Sequence, residues 1–436
     1  MNYVTIINLI LLILGISLSI YLFHFVIFAV SGIVHRKRFP VAEEKCRYGV
    51  LVSAKDEENV IPRLINSVRE AGYPQDKIDI FIVAHNCQDK TAEIAKSMGA
   101  NVIVYNDENA KVVGYAYHYA FSRINVKDYD GFIVLNADNT VKHDFFDKIN
   151  DSFVYFDKKK IVTTYRHALN IKDGVMPVLY SYYFASLCTL SFAGRENLNV
   201  SSHITGCGFV IPSFMLENGW SYFSITEDLE ASNDKIINGE SIHYCDDAIF
   251  YDEQPRTFKT MWNQRMRWSK GQRDLSVKYY PKFLKALFSK EGKDKKSLYT
   301  ALTFCSSIPL LFFSLFIFQF LFILLSPLFC VSYQETFLYW NNEVNWFTNM
   351  FMSLRTGYLF TFAKSIVTYF IYSFLASGLS IIASRGKYKK QPKFPLIGAF
   401  FVFSFFILLQ IPLDICAIFV KNVKWVKIPH GEQIKK

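Results

Sequence analysis

Apolar positions fall into blocks along the chain. Residues 3–34 carry no Asp, Glu, Lys or Arg, a run long enough to cross a ~30 Å hydrocarbon core. The basic cluster His35-Arg36-Lys37-Arg38 follows this run instead of preceding it. The segment is therefore predicted to be an uncleaved anchor whose C-terminal end faces the cytoplasm, not a signal peptide. Three more apolar stretches, 298–331, 356–384 and 394–420, fill the C-terminal third. The loop Ser332–Leu354 has no Lys or Arg, whereas Arg385-Gly-Lys-Tyr-Lys-Lys is strongly basic, which places the former outside and the latter inside. Pro412 and Asp414 interrupt the last stretch and a Lys-rich tail follows, so that stretch reads either as a span or as a re-entrant segment.

Between the apolar ends the pattern changes. From Tyr48 to Tyr165, short apolar runs at 49–54, 78–84, 101–105, 131–136 and 161–165 predict strands, and helical periodicity predicts helices over 57–71, 90–98, 112–124 and 144–156. Near-continuous apolar strands alternating with helices predict an α/β domain with a mainly parallel sheet covered on both faces. Ligands of such sheets bind at the carboxyl ends of the strands. Residues 175–193 are predicted to be either an interfacial or a buried helix, and the basic, aromatic stretch 273–296 suits a helix lying in the bilayer interface. The organisation expected is an anchor over 1–35, an α/β domain over 45–275, an interfacial helix over 276–297, a membrane region of about three segments over 298–421 and a basic tail over 422–436.

Composition agrees with this layout. The chain is 51% hydrophobic, holds 42 Phe in 436 residues and has a net charge of +10. The positive excess clusters beside the apolar runs, as at Lys282–Lys296, and so points to a bilayer surface and not to nucleic acid. The 8 Cys show no CxxC or other paired spacing, which predicts neither a zinc site nor a disulfide scaffold.

Candidate chemistry gathers at predicted strand ends. Lys55-Asp56-Glu57-Glu58 lies where the first strand gives way to a helix, and its carboxylates either complement the helix N-terminus or meet a nucleotide. His85-Asn86-Cys87-Gln88-Asp89-Lys90-Thr91 follows the second strand, with Asp89 and Thr91 as helix caps or nucleotide contacts. Asn136-Ala137-Asp138-Asn139 ends the strongest strand; Asp138 there is either part of an Asx turn or an oxygen ligand for Mg²⁺ or Mn²⁺. Gly206-Cys207-Gly208 permits close approach of backbone to a ligand. Thr226-Glu227-Asp228 places two carboxylates together, and a general base needs a carboxylate whose pKa is raised by burial or a like-charged neighbour. Its Thr also fits a helix cap. Gln264, Arg267 and Trp268 occupy one helix face at i, i+3 and i+4. Arg and an amide suit a leaving diphosphate and Trp a sugar ring; an interfacial aromatic belt is the plainer alternative.

Read in order, these motifs resemble the membrane-bound family 2 glycosyltransferases, which include cellulose, chitin and hyaluronan synthases. The resemblance covers roughly residues 45–275 and is most specific in Thr226-Glu227-Asp228 followed by Gln264-x-x-Arg267-Trp268. It implies a GT-A-like nucleotide-sugar domain on the cytoplasmic face of the cell membrane, held by several spans. It implies Asp228 as general base beside Glu227, and Asp138 as the ligand of Mg²⁺ or Mn²⁺. Glu57, Asp89, Lys111, Asn136 and Asp138 would bind the donor, expected to be a UDP-sugar. Gln264, Arg267, Trp268, Gly206, Cys207 and Gly208 would serve the diphosphate and the acceptor, a saccharide or a lipid-linked molecule. The expected reaction is sugar transfer with inversion in cell-surface polysaccharide synthesis, with accessory subunits or a homo-oligomer as further partners. Three positions depart from the family pattern: Asp56 stands where Asn is common, His85 where an Asp is usual, and Asn136 replaces the first Asp of Asp-x-Asp. These departures leave two readings open, an active enzyme and a non-catalytic partner that has kept the fold.

Overall fold

The computed structural model describes residues 23–289, 293–305, a discontinuous set within 359–384, 393–421 and Val423. Residues 1–22, the greater part of 298–331 and the tail beyond Val423 lie outside it, and with them most of the predicted spans.

The core of the domain is an eight-stranded sheet in the order β3-β2-β1-β4-β7-β6-β8-β5. The strands are β1 Tyr48–Ala54, β2 Ile78–His85, β3 Asn101–Tyr105, β4 Gly131–Asn136, β5 Thr140–Val141, β6 Ile161–Ala168, β7 Phe209–Pro212 and β8 Ile242–Asp252. All seven residues of β1 are buried or nearly so, because helices cover both faces of the sheet. Those helices include α2 Ile61–Arg69, α3 Thr91–Ser97, α4 Val113–Phe121 and α5 Phe145–Tyr155. One apolar cluster packs Val50, Val52, Ile133 and Leu135 against α2 and α5. Another packs Leu51, Val83, Phe132 and Val134 against α4 on the opposite face. The alternation of side chains along a strand feeds both clusters.

The sheet is mixed, which corrects the expectation of a mainly parallel one. β1, β2, β3 and β4 pair in parallel, as do β6 and β8, but β7 runs antiparallel to both β4 and β6, and β5 is antiparallel to β8. β7 is only four residues long, too short for its pattern to stand out. Its reversal has a consequence: the loop entering β7 reaches the same edge as the carboxyl ends of β4 and β6.

α2 begins at Ile61, later than periodicity predicts, with Pro62 in its first turn, the position where Pro costs least. The helix α6 Val175–Ser186 passes through a π-turn at Leu187–Phe192 into α7 Ala193–Asn197. Of the two predicted alternatives for this stretch the buried one holds: Val178, Tyr180, Tyr182, Phe184 and Ala185 pack with Tyr165, Phe403 and Phe406. The predicted interfacial helix is not a separate element. Its first part, 276–288, is the second half of α9 Phe258–Phe288, a 31-residue helix that also carries Gln264, Arg267 and Trp268. α10 Lys295–Cys305 follows, then α11 Lys393–Leu408 and α12 Gln410–Phe419.

Within the described residues two helices, Val175–Asn197 and Ile397–Phe419, are long and apolar enough to cross a membrane by length and composition alone. The N-terminal helix α1, Phe23–Val34, is a shorter apolar one. α1 is fastened to the domain. Side chains at Gly32 and Gly194 would collide with the Thr189 and Phe28 carbonyls, so the two helices meet backbone to backbone. Beyond α1, Arg36 pairs with Asp246 at 2.8 Å and Lys37 with Glu196 at 2.9 Å. The basic cluster read from sequence as a topology signal is thus also a set of structural ion pairs.

Candidate active site

The carboxyl ends of β1, β2 and β4 lie side by side, in register from Tyr48, Ile78 and Gly131. Asp138 follows β4 in a turn closed on both sides: the Asn136 N–H donates to Asn139 Oδ1 at 2.9 Å and the Asn139 N–H donates to the Asn136 carbonyl at 3.0 Å. Arg63 of α2 donates to the Asp138 carbonyl at 3.2 Å and pairs with Glu253 at 2.9 Å. The two bonds between Asn136 and Asn139 make a β-turn braced by the Asn139 side chain instead of the predicted Asx turn, and Asp138 lies half-buried at the strand end.

The next motif sits across the edge. The loop entering β7 is pinned where the Gly208 N–H donates to the Val134 carbonyl at 2.8 Å and Thr164 Oγ1 donates to the Gly208 carbonyl at 2.6 Å. Gly206 and Gly208 both have positive φ, 80° and 71°, a region open to Gly at little cost. The fully buried Cys207 between them has its thiol pKa pushed far up, first by burial, then by Asp252, Asp138 and Asp228, with Arg166 opposing. Asp138 and Asp228, distant in sequence, thus both act on the one thiol.

Glu227 and Asp228 open α8, Glu227–Ile237. Thr226 is its N-cap residue but makes no capping hydrogen bond, and its buried hydroxyl has no partner among the described residues. Thr226 thus takes the predicted cap position without the capping bond, and Gly271 of α9 packs directly on its side chain. Glu227 is buried and Asp228 half-buried, and both pKa values are raised, Glu227 to about 8, by burial and then by Asp228. Burial also raises Asp228, but it is opposed by the Leu229 N–H, by Arg267 and by the Gly206 N–H. Like charges this close share a proton. Glu227, pushed up to about 8, holds the proton at neutral pH, and the N-terminus of α8 favours the anion on Asp228.

α9 crosses above. Arg267 donates to the Ile225 carbonyl at 3.4 Å and lowers both carboxyl pKa values. Gln264 and Trp268, on the same face, meet Tyr180 of α6: the Tyr180 hydroxyl donates to Gln264 Oε1 at 2.7 Å, and the Trp268 ring stands edge-on to it at 6.3 Å. A quarter-turn round the helix, Arg265 donates to the Phe406 carbonyl at 2.8 Å and to Gln410 Oε1 at 2.9 Å. α9 is thus clamped between the site and the C-terminal helices.

Further along the edge the predicted donor residues are mostly engaged in holding loops. Asp89 accepts the Thr91 N–H at 2.9 Å and the Glu58 N–H at 3.1 Å, the capping alternative. The carboxylates of Asp56 and Glu58 accept the Gln88 and Lys90 N–H groups at 2.6 and 3.1 Å, so they brace the second loop and do not cap α2, as one sequence alternative had it. Glu57 is buried and its N–H donates to Thr91 Oγ1 at 2.8 Å. His85 bonds the Ala110 carbonyl at 2.7 Å and stacks on Tyr105. That contact fixes the backbone just before Lys111, which is exposed. Burial lowers the His85 pKa, so at neutral pH the ring supplies no charge in place of a carboxylate.

Among the described residues, no group of three potential ligands includes Asp138; the groups present are Asp56 with Cys87 and Asp89, and Glu44 with Cys46 and Asp130. A lone carboxylate at a strand end still fits Mg²⁺ or Mn²⁺, because these ions complete their shell with water and substrate phosphates.

Sequence reasoning missed Arg166, Asp252 and Tyr117. Arg166 and Asp252 form a buried ion pair at the ends of β6 and β8. Tyr117 of α4 lies close enough to Glu227, Cys207 and Asp228 for them to raise its phenol pKa, after burial. The signal for Arg166 is its place: a charge on a strand buried at every position demands a buried partner.

Residues 46–271 match the sequence profile of the family described as "Glycosyltransferase like family 2". The chain belongs to this family. It is a glycosyltransferase with a GT-A-like α/β fold built on a mixed sheet. Among curated proteins it is 24% identical over 298 residues to the probable glycosyltransferase YdaM of Bacillus subtilis, covering 66% of this chain and 67% of that one. A probable glycosyltransferase of Sulfolobus acidocaldarius is 25% identical over 278 residues, 59% of this chain and 58% of its own length. Among solved structures, the mannosyltransferase PcManGT from Pyrobaculum calidifontis, in complex with GDP-Man and Mn²⁺, aligns with a TM-score of 0.49 at 12% identity, over 80% of this chain and 97% of that chain. TarS residues 1–349 from S. aureus, in complex with UDP-GlcNAc, align with a TM-score of 0.39 at 13% identity, over 59% and 70%.

Proposed function

We propose that this family 2 glycosyltransferase moves a sugar from a nucleotide-sugar donor, a UDP-sugar first among candidates, to a hydroxyl of a saccharide or lipid-linked acceptor with inversion. The observation that carries the reading is the setting of Asp228: a half-buried carboxylate at the start of α8, beside the buried Glu227 and within the field of Arg267 on α9.

In this reading Asp228 takes the proton of the acceptor hydroxyl as its oxygen bonds the anomeric carbon, and the bond from that carbon to the diphosphate breaks on the opposite side. A base with a pKa raised toward neutrality is better matched to that proton. Arg267 faces the charge that develops on the leaving diphosphate. Gln264 and Trp268, held by Tyr180, supply an amide and a flat apolar surface for the sugar. Mg²⁺ or Mn²⁺, when bound, neutralises diphosphate charge from Asp138. Glu57, Asp89, Lys111 and Asn136 line the neighbouring strand ends, where the nucleotide would lie. The fastening of α9 to α11 and α12 supports a site held at a membrane surface, with the domain in the cytoplasm and the product destined for the cell surface.

The test is nucleotide release by membranes carrying the protein, over a panel of UDP- and GDP-sugars with Mn²⁺ or Mg²⁺, beside Asp228→Asn. Release with one donor, reduced about 10²–10⁴-fold in the variant, supports the reading. Release undiminished in Asp228→Asn overturns it, and failure of any nucleotide sugar to bind marks a non-catalytic partner.

A further inference from the structure

The apolar stretch Ile397–Phe419 carries one charged side chain, Asp414, and one amide, Gln410. They stand one turn apart, at i and i+4, at the start of α12. Polar groups in so apolar a helix are costly and are normally paired, and here the partners lie on α9. Gln410 Oε1 accepts Arg265 Nη2 at 2.9 Å. Gln410 Nε2 donates to Ser269 Oγ at 2.8 Å and to Asp414 Oδ1 at 2.6 Å. The oxygen and both hydrogens of the amide are thereby used. The amide can face only one way, since a guanidinium only donates and a carboxylate only accepts. Arg265 is buried, lies over the Phe406 ring and donates to the Phe406 carbonyl in the last turn of α11. No carboxylate bonds Arg265 directly among the described residues, so its charge is linked to that of Asp414 through Gln410.

Arg265 and Ser269 are the two ends of one turn of α9, and Arg267 and Trp268 lie between them. Gln410 holds both ends of that turn, while Gly271, about half a turn further on, packs against Thr226. We propose that Gln410 is a positioning residue for sugar transfer: by holding Arg265 and Ser269 together it sets the rotation of α9 about its axis, and with it the placing of Arg267 relative to the carboxylate pair. The C-terminal helices are then part of the catalytic apparatus and not only an anchor. The inference rests on Arg267 serving the leaving diphosphate.

The experiment follows kcat and donor KM of the full chain in detergent for Gln410→Leu, Gln410→Glu and the double variant Gln410→Glu with Asp414→Asn, each repeated in an Arg267→Lys background. In Gln410→Leu kcat falls on the order of 10–100-fold, as for other small misplacements of reacting groups, while donor KM is unchanged. Gln410→Glu is near-isosteric but sets two carboxylates against each other; it falls likewise and serves if Gln410→Leu does not fold. Adding Asp414→Asn returns a donor to face the new carboxylate and restores part of the loss. In the Arg267→Lys background the Gln410 substitutions cost much less, because they misplace a group already impaired. A mere loss of folded protein would lower both backgrounds alike. Wild-type kcat in Gln410→Leu and Gln410→Glu, or losses that add in full to that of Arg267→Lys, overturns the proposal. Arg267→Met separates the two failures: undiminished transfer there removes Arg267 from the diphosphate, whereas a crippled Arg267→Met with wild-type kcat in Gln410→Leu removes only the role of Gln410.

Discussion

Gly271 of α9 lies directly against Thr226: a Cβ at Gly271 would stand 2.4 Å from the Thr226 hydroxyl and methyl groups. Thr226 precedes the carboxylate pair, and Gly271 is one helical turn beyond Arg267. The contact sets how near the cationic helix approaches the base. Gly271→Ala must push α9 and the start of α8 apart by several tenths of an ångström. We expect kcat to fall about 10²-fold, as for other small misplacements of reacting groups, with the protein still folded. Replacing Thr226 by Ser in the same variant removes the offending methyl and should return part of the activity, read by nucleotide release.

Glu227 makes stability depend on pH with a definite sign. Its pKa is about 8 in the folded protein against an ordinary 4.5, so the folded state holds a proton that the unfolded chain has released. The stabilisation this gives is complete below about pH 4.5 and is lost as pH rises to about 8. The wild-type melting temperature should decline across that window more steeply than that of Glu227→Gln. Parallel curves for the two proteins would show that Glu227 is ionised throughout.

Chelation should stop transfer, and Mn²⁺ or Mg²⁺ should restore it. In Asp138→Asn the metal concentration for half-maximal activity should rise at least about tenfold, in line with weakened metal sites generally. Full activity in excess chelator would remove the metal from the scheme.

Arg36→Ala leaves Asp246 buried without its cation. Breaking one side of such a pair costs about 3 kcal/mol, and thermal inactivation in detergent should register it. The double variant Arg36→Ala with Asp246→Asn should recover much of the loss.

The strand-helix order of β1, β2, β3, β4 and β6 was legible because buried strands and amphipathic helices leave strong periodic traces. β7 was not, since four residues cannot show a period, and its direction depends on what lies beside it. Glu227, Asp228 and Arg267 were legible because their types and spacing suit one chemistry, and the structure does bring them together. Asp89 shows the limit of that reasoning: its carboxylate serves the loop as much as any ligand, and only the geometry tells. Arg166 escaped because its partner Asp252 is 86 residues away. No local pattern announces an ion pair of that span.

The pairing of Arg36 with Asp246 spans 210 residues. At ribosomal speeds of roughly 5–20 residues per second, the cations behind α1 wait on the order of ten seconds or more before their carboxylates exist. In that interval they stand in water without their partners. Once β8 is made, they become internal fasteners, so the first described helix can dock only after most of the domain exists.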